Sequence, residues 1–134
     1  MDESGFTPLA TAVVEGHPEV VKLLLANGAD INTRDKLYQL SPIFWAISFE
    51  REDIANVLID EESIDLASRD RYGRTPLHCA VEHRLHLVLR WLLRKGADAN
   101  IPDDEGQTPL DKARMADDIA MEDLLKDWNN PQFS

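Results

Sequence analysis

His78, Cys79, His83 and His86 stand within one short stretch, and these are residue types that bind metals or activate thiols. Cys79 and His83 are four positions apart, one helical turn, so an imidazole could approach the thiol. A zinc site wants three or four ligands, and no second cysteine exists to form a Cys-x-x-Cys pair. A Cys-His nucleophile would also need an orienting third group and an oxyanion hole. Cys79 fits better as a small apolar filler. Asp103-Asp104-Glu105-Gly106 opens like a calcium loop, but Thr108-Pro109 starts a helix before a distant glutamate could close it. The expectation is therefore a chain that is not an enzyme, with no catalytic residue, metal or cofactor.

Charge narrows the partners. The formal net charge is -11, from 25 acidic and 14 basic residues. Such a surface repels phosphate backbones, so nucleic acid is not expected. Arg69, Arg71, Arg74, Arg84, Arg90, Arg94 and Lys95 are scattered rather than drawn into a stripe. A protein partner, basic in character, would instead be attracted at long range. A single cysteine forbids an internal disulfide and suits a reducing compartment. No apolar run reaches the ~20 residues that span a bilayer, and Met1-Asp2-Glu3 does not open a signal peptide. A soluble intracellular protein, cytoplasmic or nuclear and not inserted in a membrane, is expected.

The elements that position these residues come from a repeat. Thr7-Pro8-Leu9, Ser41-Pro42-Ile43, Thr75-Pro76-Leu77 and Thr108-Pro109-Leu110 are separated by 34, 34 and 33 positions. Three of them follow the same frame: Asp2-x-x-Gly5, Asp70-x-x-Gly73 and Asp103-x-x-Gly106. Asn27-Gly28-Ala29-Asp30-Ile31-Asn32 is echoed by Lys95-Gly96-Ala97-Asp98-Ala99-Asn100. Thr75-Pro76-Leu77-His78-Cys79-Ala80 completes the pattern. The chain resembles the ankyrin repeat, whose ~33-residue period and Thr-Pro-Leu-His-x-Ala phrase mark stacked helix pairs. The resemblance covers essentially the whole chain. It implies an all-α solenoid of helix-turn-helix units with projecting β-turns. A single domain over 1–134 is expected, with repeats at about 2–34, 35–69, 70–102 and 103–128 and a frayed tail at 129–134.

Local signals agree with that frame. Thr7 suits a helix N-cap and Pro8 the first helical position, where its missing N–H costs nothing. The first helix is expected to end at Gly16-His17, and the second to run from Glu19 to Ala26 before Asn27-Gly28. Val20, Val21, Leu23, Leu24 and Leu25 make that second helix apolar nearly all round, so neighbours are expected on both flanks. In the third copy the expected helices are Pro76 to His83 and Leu85 to Arg94, with Val88, Trp91, Leu92 and Leu93 carrying the packing. The second copy departs from the frame: its turn, Asp35 to Ser41, has one extra residue and no glycine, and Phe44 stands where the family phrase has histidine. The fourth copy turns polar after Leu110 and suits a C-terminal cap. The first copy looks internal, as if taken from a longer array.

The family binds partners through variable turn residues and the inner face of each first helix. Carried onto this chain, the turn positions are Glu3, Ser4 and Phe6; Lys36 to Leu40; Arg71, Tyr72 and Arg74; and Asp104, Glu105 and Gln107. The inner-helix positions include Val14 and Glu15, Ser48 and Phe49, Glu82 and His83, and Met115 and Ala116. Interface hot spots favour aromatic and arginine side chains. That choice selects Tyr38, Leu40, Trp45, Phe49, Arg71, Tyr72, Arg74 and His83 as the expected partner-binding residues. The expected function is a protein–protein interaction module, an adaptor or scaffold. The alternative is a regulatory segment of a larger enzyme or channel, contacting another domain of its own chain. In the family, the position of His78 hydrogen-bonds neighbouring turns. Asn32 and Asn100 also lie in segments resembling those that intracellular asparaginyl hydroxylases modify. The packing alternative is that both asparagines bridge adjacent turns.

Overall fold

A computed structural model describes residues 5–128. Among them the only regular elements are eight helices, paired into four helix-turn-helix units. The first helices are α1 (Pro8–Glu15), α3 (Pro42–Ser48), α5 (Pro76–Glu82) and α7 (Pro109–Met115). The second helices are α2 (Pro18–Ala26), α4 (Glu52–Asp60), α6 (His86–Arg94) and α8 (Ile119–Trp128). Each first helix packs on the next first helix, and each second helix on the next second helix, so two layers run the length of the stack.

Every first helix opens with proline directly behind a Thr or Ser in extended backbone. The caps differ in quality. Thr7 Oγ1 accepts the Ala10 N–H at 3.1 Å. Thr108 and Asp111 form a reciprocal capping box, with bonds of 3.3 and 3.0 Å. In the third unit His78 takes the place of the acid: its Nδ1 accepts the Thr75 N–H at 3.1 Å. Because Nδ1 accepts, Nε2 carries the proton and donates to the Gln107 carbonyl at 2.8 Å. His78 thus ties its own cap to the next turn. It is fully buried, and burial lowers its pKa, which keeps the ring neutral.

The second unit has Phe44 at this position and loses the device. Ser41 Oγ is buried without a hydrogen-bond partner among the described residues. Removing that hydroxyl should leave stability within about 0.5 kcal/mol, whereas Thr108→Ala should cost about 1 kcal/mol. Urea unfolding of the two variants side by side checks the contrast. An equal loss in both would mean that Ser41 caps α3 after all.

The turns inside each unit share one conformation. Gly16, Glu50, Arg84 and Asp117 all have φ between 53° and 79°, reversing the chain in a left-handed residue. Three of the four are not glycine, so the stack holds them there.

The core is a continuous stripe. Leu9, Val13, Ile43, Ile47, Leu77, Val81 and Ala113 come from the first layer, and Val21, Ile54, Leu58, Leu89, Leu92, Met121 and Leu125 from the second. Val88, Leu92 and Leu93 are buried as expected, while Trp91 is half-buried at the edge. One expectation requires correction. Helix α2 is not covered on both flanks: Val21 is buried, but Val20 is 45% exposed and Leu23 62% exposed. The reason is positional, since α2 has α4 on one side and no described element on the other. The 129–134 tail and turn positions Glu3 and Ser4 lie outside the described residues.

Candidate functional site

The second, third and fourth projecting turns are each held by an aspartate at the base. In the third turn Asp70 Oδ1 accepts the N–H groups of Tyr72 and Arg74, both at 2.9 Å. In the fourth, Asp103 Oδ1 accepts from Glu105 and Gln107, again at 2.9 Å. The burial of Asp103 works against its charged form, but the Gln107 and Glu105 bonds and nearby Lys112 win, and its pKa falls. Gly73 allows the two turns to stack: its φ is 75°, and a Cβ there would sit 2.9 Å from the Asp104 nitrogen. Asp104 N–H consequently reaches the Tyr72 carbonyl at 3.0 Å.

Asp35 does the same work in the second turn and extends it. Its carboxylate receives the N–H groups of Tyr38 and Leu40, and also the Trp45 indole Nε1–H at 2.8 Å. The extra residue lengthens the closing bond, so Gln39 N–H rather than a glycine N–H returns to the Asp35 carbonyl, at 3.1 Å. Gln39 takes the left-handed conformation, φ 59°, that Gly73 and Gly106 supply elsewhere. This longer turn alters the stacking. Lys36 N–H bonds the Gly5 carbonyl, joining turns one and two, and Asp104 joins turns three and four. Between turns two and three no backbone–backbone bond forms among the described residues. A cleft of about 310 Å³ opens there instead.

Most of the expected partner-binding residues meet at this cleft. Tyr38, Leu40, Arg71, Tyr72, Arg74 and His83 line it. Tyr38 is 43% exposed and Tyr72 60% exposed, while Leu40, Arg74 and His83 are half-buried. Arg71 lies over the Tyr38 ring at 5.7 Å, and Arg74 over the Tyr72 ring at 5.0 Å. Trp45 is placed differently. It is 9% exposed and sits beneath the surface, with Phe6 and Tyr38 edge-on at 5.3 and 5.4 Å and Phe49 tilted at 6.0 Å. It supports the patch; Phe49, 48% exposed, presents it.

The cleft floor is charged and locked. Arg74 bonds Asp70 and Glu82, each at 2.8 Å, and Lys112 reaches Glu82 at 3.0 Å and Asp103 at 3.5 Å. Burial works against both cations, yet the Asp70 bond raises the pKa of Arg74 and the Glu82 bond that of Lys112. Glu82 so bridges the third and fourth units across the inner face. Cys79 borders the floor but is 6% exposed, and burial pushes its thiol up to about 12. His83 Nδ1 and Nε2 form no bond to it, and no group of three His, Cys, Asp or Glu side chains among the described residues is placed to hold a metal. Asn32 bridges turns: its Nδ2 donates to the Ser63 carbonyl at 2.8 Å, and its Oδ1 accepts the Asp65 N–H at 2.9 Å. No described helix is long and apolar enough to cross a membrane.

Sequence reasoning missed Asp35 and Glu82 as organisers. The signal for Asp35 was present, because it occupies the position that Asp70 and Asp103 hold in the recurring frame. Glu82 had no comparable signal, since its role comes from Arg74 and Lys112 converging on it from two units.

Comparison with known proteins gives one consistent result. A family model for ankyrin repeats matches residues 32–103, and a single-repeat model matches residues 4–36. Alpha-latrocrustotoxin-Lt1a of Latrodectus tredecimguttatus is 34% identical over 84% of this chain, and mouse Rabankyrin-5 is 34% identical over 86%. The Drosophila melanogaster Neurogenic locus Notch protein is 37% identical over 90% of the chain. The match covers 8%, 10% and 5% of these three proteins, respectively, so the relatives contain it as a small part of a much longer chain.

Proposed function

The chain belongs to the ankyrin-repeat family, and from that premise we propose that it is a non-catalytic adaptor that docks a partner protein in the cleft between its second and third turns. The family is generally a protein-interaction module. The observation that carries the finer reading is the exposure of Tyr38 and Tyr72 on one cleft, with exposed Phe49 packed beside Tyr38 on a buried and hydrogen-bonded Trp45. Exposed aromatics grouped this way leave apolar area in water that a partner would cover. Their rigid support means that little side-chain freedom is lost on binding. The single free cysteine, Cys79, suits an intracellular setting.

A second reading is favoured by the relatives' lengths. Where such a segment belongs to a larger enzyme or channel, the same cleft would contact another domain of its own chain. Both readings use one surface and differ in whether the partner is covalently attached.

The test begins with the wild-type domain as bait, a captured partner identified by mass spectrometry, and that partner purified. Tyr38→Ala and Tyr72→Ala should each melt close to wild type and weaken affinity by more than about 1 kcal/mol. Arg74→Ala should weaken affinity too, but at a lower melting temperature, because it leaves buried Asp70 without its cation. Unchanged affinity in all three would move the site elsewhere.

A further inference from the structure

The chain is acidic overall, but the two turns that bound the cleft are cationic, and among the charged residues that line it Asp70 and Glu82 are paired with Arg74, which leaves Arg71 uncommitted. The segments 34–40 and 69–74 that form the second and third turns carry Arg34, Lys36, Arg69, Arg71 and Arg74 against only Asp35 and Asp70. Both aspartates are buried and committed: Asp35 to three N–H groups, Asp70 to Arg74 and two N–H groups. Of the five cations, only Arg74 is neutralised among the described residues. Arg34 bonds the Gln39 carbonyl and the Ser68 hydroxyl, and Arg71 faces a tyrosine ring. Arg34, Lys36, Arg69 and Arg71 are exposed and meet no carboxylate among the described residues. Elsewhere Lys22, Lys112, Arg114 and Lys126 meet a carboxylate, while Arg51, Arg84 and Lys95 bond backbone carbonyls; what sets the second and third turns apart is that their only acids are buried.

We infer that the segment seated in this cleft is an acidic peptide stretch, with an aspartate or glutamate on Arg71 beside an apolar side chain between Tyr38 and Tyr72. This rests on the cleft being the docking site. Arg71 is placed for such a contact: its guanidinium lies on the Tyr38 face, which leaves its N–H edges free to hold a carboxylate in a bidentate pair. The cleft volume of about 310 Å³ suits one or two side chains rather than a folded surface. A nucleic acid is disfavoured, because Arg71 alone among the cations lining the cleft is uncommitted, enough for one carboxylate but too few contacts for a phosphate backbone. The net charge of -11 acts on the approach of the whole partner, whereas the four unpaired cations act on what sits within a Debye length of them.

A random peptide library displayed on phage, selected on the wild-type domain, tests this. The enriched peptides should pair an acidic residue with a leucine or aromatic residue one or two positions away. Their affinity should fall about tenfold or more on Arg71→Glu, a variant that melts as wild type because Arg71 is exposed. Changing the peptide acid to lysine should restore binding to Arg71→Glu. Enriched peptides that are basic, or none that bind wild type better than Arg71→Glu, would overturn the inference, as would Arg71-dependent binding of a single-stranded oligonucleotide in preference to every peptide. The Tyr38→Ala and Tyr72→Ala domains separate the two claims. Peptides that lose binding to these alone leave the cleft standing and remove its charge preference; peptides indifferent to all three variants remove the cleft as well.

Discussion

Replacing Leu77 with alanine is expected to cost about 2–5 kcal/mol, the range for a truncated leucine in a core that cannot fully collapse. Leu77 is 1% exposed, and its helix α5 packs on α3 before it and α7 behind it. A void there opens in the middle of the stripe, so it weakens contacts on both sides. In a solenoid, stability is close to a sum of unit and interface terms. The loss should therefore appear both as a lower urea midpoint and as a broader transition, as the two halves begin to unfold separately. A melting temperature roughly 8 °C or more below wild type is expected. A variant melting within a degree or two of wild type would mean that Leu77 does not face the core.

Most of this architecture was legible in the chain because the same physical requirements recur four times. Thr-Pro at each helix start sets an N-cap and a first turn that needs no N–H, and all four first helices begin there. Of the second helices, α2 and α6 were legible from their apolar spacing, each within a residue of its expected start. What was not legible depended on neighbours. The exposure of Val20 and Leu23 follows from what lies outside α2, which periodicity within α2 cannot report. Trp45 and Phe49 are four residues apart and both aromatic, yet one is buried and the other exposed. The difference comes from Asp35, which draws the indole N–H inward from ten residues away. The excess of cations on the second and third turns could be counted in the chain, but the burial of Asp35 and Asp70 and their commitment to N–H groups and Arg74 could not. The partner-binding residues themselves stand as the reading that the variants above decide.

Asp35→Ala should combine a stability loss with a binding loss, which neither tyrosine variant should do. Its carboxylate is the acceptor for the Tyr38, Leu40 and Trp45 N–H groups, and it is 1% exposed. Alanine leaves all three donors without a partner. A buried unsatisfied polar group costs about 1–3 kcal/mol, and the two backbone groups near the turn tip can recover part of it from water. About 2–4 kcal/mol is therefore expected in total, with the indole contributing most because Trp45 is enclosed by Phe6, Tyr38 and Phe49. Asp35→Asn should recover part of the loss, since its amide oxygen can accept from one or two of the donors while its NH₂ faces the rest. The same change releases the second turn, so Tyr38 loses its place over Trp45 and under Arg71. Affinity for the partner should then fall in Asp35→Ala even at temperatures where the stack is fully folded. The measurements are urea unfolding, the NMR shift and solvent exchange of the Trp45 indole proton, and partner affinity at low temperature. An indole proton that stays protected, with stability unchanged, would place the acceptor elsewhere. Lost stability with full affinity would show instead that the second turn holds its shape without Asp35, and that its order is set by the stack rather than by the carboxylate beneath it.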